Sequence, residues 1–113
     1  KRLLEDNAPY QARVTFESQG GASGWNAPAS APWFEQALNA ASSTHFGAPC
    51  GYIGQGGTIP LMNQLSEGFP TSQMMGCGVL GPRSNAHGPN EFLHVPYAKK
   101  LTAAVAEVIA RMP

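Results

Sequence analysis

Three stretches with a helical apolar period alternate with two short apolar runs broken by glycine, and this rhythm constrains the fold more than any other feature of the chain. The first helix should open near Pro32, because a first-turn proline gives up no intrahelical N–H. Its stripe is Phe34, Ala37, Leu38 and Ala41, with Gly47 just past its end. The second should be capped by Thr58 and carry Ile59, Met62 and Leu65, stopping at Gly68 before Pro70. The third starts at Pro96 and shows Tyr97, Leu101, Ala104, Val105, Val108 and Met112 on one face. Between the helices, Cys50–Ile53 and Gln73–Val79 read as short buried strands, the latter weakened by Gly76 and Gly78. Helix, strand, helix, strand, helix is the order of an α/β layer with helices on a mostly parallel sheet. That is the fold class expected.

The N-terminal part has a different texture. From Tyr10 to Glu17 the residues alternate, with Tyr10, Ala12, Val14 and Phe16 on one side and Gln11, Arg13, Thr15 and Glu17 on the other, the period of a half-buried strand. Gln19 to Gly24 is then glycine- and serine-rich with almost nothing to bury, which marks a hinge or domain boundary at about residue 24. The opening Lys1-Arg2-Leu3-Leu4 has no Met and no signal-like segment, and reads as the tail of a helix in something longer.

Composition removes several function classes. Seven basic and seven acidic residues give a formal net charge of zero, with no dense basic run to attract nucleic acid or an anionic membrane. No apolar stretch approaches the roughly 20 residues a membrane helix needs. Cys50 and Cys77 lack metal-type spacing and are expected as buried small hydrophobes in strands, which favours a reducing, cytoplasmic setting.

Two loops carry the candidate chemistry, and the expected topology puts both at the carboxyl edge of the sheet, where ligands of open α/β sheets gather. In Gly54-Gln55-Gly56-Gly57-Thr58-Ile59-Pro60, two glycines let the backbone approach a ligand, the following helix directs free N–H groups at it, and Thr58 adds a hydroxyl. A carboxylate or phosphate could sit there, although on spacing alone an ordinary tight turn with Thr58 as N-cap is the better reading. There is no P-loop lysine, so a nucleotide has little support. The second loop runs from Gly81 to Glu91. There His87, flanked by small residues and prolines, is a sensible metal ligand, and Glu91 four residues on could orient its ring. Taken alone, His87 is better explained as a plain loop histidine.

The two loops together resemble the closing part of the catalytic domain in the aminoacylase, carnosinase, carboxypeptidase G and succinyl-diaminopimelate desuccinylase family. Gly56-Gly57-Thr58-Ile59-Pro60 is similar to that family's glycine-rich substrate loop, and Asn85-Ala86-His87-Gly88-Pro89-Asn90-Glu91 to its terminal metal-ligand loop, in the same order and about 30 residues apart. The resemblance is close over residues 50–112 and covers only the layout of residues 1–49. It implies a two-zinc hydrolase of peptide or N-acyl amide bonds, other divalent metals being possible, acting on a small peptide or N-acyl amino acid. A metal-bridging water would attack the carbonyl, with a Glu as base. His87 would be the last zinc ligand, with Asn90 and Glu91 behind it, and Gln55, Gly56, Gly57 and Thr58 would meet the substrate. Gln55 stands where relatives often carry an acidic residue, which would shift substrate preference. Residues 1–24 would end an inserted α+β lid, or dimerisation, domain with its hinge, and residues 25–113 would be the C-terminal part of the catalytic domain.

The chain holds one Asp, Asp6, and three His, so the bridging carboxylate, the first His and the base that such a site needs are not here. His45 is expected to cap its helix end, and His94 to be structural or to stand behind the site. The chain is therefore expected to be inactive alone, completed by a missing N-terminal part of the same enzyme or by a partner subunit, and to self-associate as a homo-oligomer, by edge pairing or by exchange of the Tyr10–Glu17 strand across the Gly20–Gly24 hinge. The alternative from a different class is a non-catalytic α/β module that binds a carboxylate or its own copies.

Overall fold

Two of the helices form where their start and stop signals are strongest, and among the described residues they make the one packed unit. The computed structural model describes residues 1–21, 24–54 and 60–113. Helix α1 spans Arg2–Asp6, α2 Pro32–Phe46, α3 Pro60–Gly68 and α4 Val95–Ala110, with a 3-10 turn at Pro9–Gln11. In α2, Pro32 occupies the first turn and Gly47 ends the helix in the left-handed region at φ 78, its N–H donating to the Ser43 carbonyl at 3.0 Å. Helix α4 begins one residue before the expected proline, with the ring of His94 as its N-cap.

The core is the seam between α2 and α4. Phe34, Ala37, Leu38 and Ala41 are buried from one helix, and Ala104 and Val108 from the other. Three of these six are alanines, so the two backbones approach over small side chains. Trp33, Phe46, Cys50 and Met75 lean on the rim. Trp33 meets Phe34 edge-on at 5.4 Å between centroids, and Phe46 lies 5.2 Å from Tyr97 across the helix pair. Gln73 ties the downstream chain to the start of α2 by accepting the Ala31 N–H at 2.7 Å.

The expected α/β fold is not what forms: the described residues are helical or irregular and contain no strand. Cys50–Ile53 leaves the end of α2 in an open conformation, with Ile53 89% exposed. Gln73–Val79 is irregular, lies against the helix pair through Gln73 and Met75, and has no ladder partner among the described residues. A strand exists only when a neighbour takes its N–H and C=O groups. These runs are too short and too glycine-broken to recruit each other, since Gly51, Gly76 and Gly78 bring no side chain to pack. The Tyr10–Glu17 strand is also corrected. Tyr10 and Gln11 turn through the left-handed region at φ 56 and 57, and Phe16 N–H donates to the Glu5 carboxylate at 3.0 Å instead of to a sheet. Both cysteines are free and outside strands, Cys50 half-buried and Cys77 exposed. The expected hinge lies partly outside the described residues, as do Thr58 and Ile59 of the second helix.

Large apolar side chains remain in solvent along the chain, among them Leu3, Tyr10, Tyr52, Ile53, Phe69 and Ile109. The accessible surface of 9236 Å² exceeds the roughly 5,900 Å² of a compact protein of this mass. The radius of gyration, 19.6 Å, exceeds the value of about 13 Å for a compact domain of this length. Among the described residues no helix is long and apolar enough to cross a membrane.

Candidate functional site

The loop after residue 80 is held by its own side chains. Ser84 is 2% exposed, and both its hydroxyl and its N–H donate to the Gly81 carbonyl, at 2.6 and 3.2 Å. The Ser84 carbonyl accepts the Phe92 N–H at 3.2 Å and closes the loop at its base. Inside, Gly88 N–H donates to the Asn85 carbonyl at 2.9 Å, and the Asn85 amide reaches the Pro89 carbonyl. The backbone doubles back through left-handed residues at Arg83, Asn85, His87 and Asn90, with φ of 70, 55, 62 and 58. Asparagine tolerates this region, whereas Arg83 and His87 pay roughly 1 kcal/mol or more each in steric strain. Gly88 fits because a Cβ there would lie 2.8 Å from the Asn85 amide.

His87 presents an exposed side chain at the turn of this loop. Glu91 does support it, through the main chain: its carboxylate accepts the His87 N–H at 2.9 Å. A carboxylate bound to the backbone fixes where the residue sits and leaves the imidazole nitrogens unassigned. Asn90 is exposed in its left-handed turn. The other four expected site residues, Gln55, Gly56, Gly57 and Thr58, lie outside the described residues.

The remaining histidines are engaged elsewhere. His45 Nε2 lies 3.0 Å from Glu107 Oε2, and Arg111 pairs with the other oxygen of Glu107 at 2.8 Å. His45 thus joins α2 to α4 across the seam rather than capping its own helix. His94 Nδ1 accepts the Tyr97 N–H at 3.1 Å. Among the described residues no three His, Cys, Asp or Glu side chains come together as a metal site. Zinc sites take at least three protein ligands, so this chain's residues do not by themselves fit a resident zinc, and no chemical step is assigned through one.

Two concavities flank the helix pair. One, of about 490 Å³, lies between the base of the His87 loop and the first turn of α4, and Arg83, Phe92, His94 and Tyr97 reach its wall. The other, of about 560 Å³, runs between Trp33, Met75 and the last turns of α4. Sequence reading singled out neither Arg83 nor the capping role of His94. The cap was open to discovery, since His94 stands just before Pro96, where helix-starting residues gather. Beyond this region, Tyr52 has its phenol pushed above the ordinary tyrosine value, first by desolvation and then by Cys50 and Glu35. The chain matches no family model and no curated protein.

Proposed function

We propose that the chain is one part of a metal-dependent hydrolase of peptide or N-acyl amide bonds, supplying His87 as a single metal ligand and Gln55–Thr58 as a substrate-carboxylate loop, and that it is inactive alone. The observation that carries this reading is the His87 loop. Its closure by Ser84, Asn85 and Glu91 holds an accessible imidazole on a restrained backbone, as a metal ligand requires. The order of the two loops, each followed by a helix, supports it as well: α3 opens at Pro60, and α4 at Val95, four residues after Glu91. A lone ligand needs the rest of its set from outside, either from further sequence of the same enzyme or from a partner subunit. The uncovered apolar side chains fit a chain that is finished by such contacts. Two free cysteines accord with a cytoplasmic setting.

Reading the gene upstream of Lys1, then assaying the whole reading frame on dipeptides and N-acyl amino acids, tests the proposal. The expected result is an upstream His-x-Asp motif and a Glu-Glu pair, turnover by the whole protein, and loss of turnover with one metal ion in His87→Ala. A reading frame without those ligands, or a His87→Ala protein that keeps its turnover and metal content, would overturn it.

The exposed apolar surface also favours a second reading, a non-catalytic module that binds its own copies. Sedimentation of the isolated chain tests the self-association that both readings expect. A clean monomer at high micromolar concentration removes self-association.

A further inference from the structure

The cavity at the base of the His87 loop has a chemical character that the proposed hydrolase role does not use. Arg83 is permanently charged and carries five donors, yet it has no carboxylate partner among the described residues. The acid nearest to it in sequence, Glu91, is already engaged with the His87 N–H. His94 is fixed by its cap: Nδ1 accepts the Tyr97 N–H, so in the neutral ring the proton resides on Nε2, which becomes a donor. Both nitrogen-bearing side chains on the cavity wall therefore offer donors, and the remaining wall is largely apolar, from Leu80, Pro82, Phe92 and the Tyr97 ring. The concavity, about 490 Å³ and open to solvent on one side, has room for a small molecule.

We infer that this cavity binds a small monocarboxylate bearing an aliphatic or aromatic group. Arg83 pairs with the carboxylate in the planar, two-bonded manner its guanidinium favours. His94 Nε2 donates to the same group, and Phe92 and Tyr97 cover the apolar part. A mineral anion would leave those walls unused, and a polyphosphate would meet too little positive charge. The inference uses neither His87 nor a metal, so it stands or falls separately from the hydrolase reading.

Titration of the isolated chain with 3-phenylpropionate, followed by amide resonances and calorimetry, tests it. Saturable shifts are expected at Arg83, Phe92 and Tyr97, with binding about tenfold or more weaker for 3-phenylpropanamide, which lacks the charge, and for acetate, which lacks the ring. Arg83→Gln should weaken binding by a similar factor, and Arg83→Lys by less. Three results would each overturn the inference: no saturable shifts, equal binding of the amide, or shifts confined to the groove near Trp33, Met75 and Ile109. The amide and acetate comparisons use the unaltered chain, so they decide the matter even if Arg83→Gln disturbs folding.

Discussion

The α2–α4 pair and the chain between its two helices obey the same hydrophobic rule and reach opposite outcomes. The pair buries Phe34, Leu38 and Val108 over three alanines, whereas the connecting chain leaves Tyr52, Ile53, Leu61, Phe69 and Leu80 in solvent. Outside α3, whose Leu61 stays exposed although that helix pairs its own backbone, the difference is one of backbone. A helix satisfies its own N–H and C=O groups and needs a neighbour only for its side chains. A strand needs a neighbour for both, and residues 48–54 and 73–80 have no partner strand among the described residues, although Cys50 and Met75 touch the core and the Cys50 N–H donates to the Asn39 side chain. Apolar content alone does not make a core; it must lie on elements whose polar groups are already paired.

The sharpest test of that contrast is a pair of truncations. Leu38→Ala opens a hole in the α2–α4 seam and should cost about 2–3 kcal/mol, enough to abolish cooperative unfolding in so small a core. Ile53→Ala, at a side chain 89% exposed, should change stability by no more than about 0.5 kcal/mol. Urea unfolding followed by far-ultraviolet circular dichroism compares them. Equal losses would mean that the connecting chain is packed after all. A smaller effect is expected at the polar clasp of the pair. Glu107→Gln weakens its bonds to both His45 and Arg111 and should cost about 0.5–1 kcal/mol, since all three side chains keep contact with water. A double-mutant cycle with His45→Ala measures the part that joins the helices. The smallest effect belongs to Tyr52 in the connecting chain. Its raised phenol value means that the fold favours the neutral ring. The slight stability this confers is present below the ordinary tyrosine value and lost as pH climbs through the raised one. An absorbance titration should find Tyr52 ionising later than the same residue in denaturant.

The helices were legible because each carries local signals. Pro32, the Phe34–Ala41 stripe and Gly47 define α2 within a short span, and Pro96 with the stripe from Tyr97 does the same for α4. The sheet was inferred from Tyr10–Glu17, Cys50–Ile53 and Gln73–Val79, whose alternation or apolarity tells which side would be buried without telling whether a partner strand exists. The His87 loop was legible as a position. Its construction was not, because the left-handed turns at Arg83 and His87 and the bond from Glu91 to the main chain have no signature in residue order. The Arg83–His94 cavity joins residues on either side of the Ser84–Phe92 closure, so only the closed loop brings it into being.

The placement of the core also fixes how it must be assembled. The two helices that form it are separated by positions 47 to 94 of the chain, so its first lasting contact has to close a long loop before any burial rewards the search. High contact order predicts a late, polarised transition state for what is otherwise a two-helix unit, with folding slower than that of a hairpin joined by a short turn. Joining Gly47 to His94 by about eight residues would lower the closure cost by on the order of 1.5 kcal/mol. Most of that gain should appear in the folding rate and little in the unfolding rate, because the shortened connection acts on the unfolded chain.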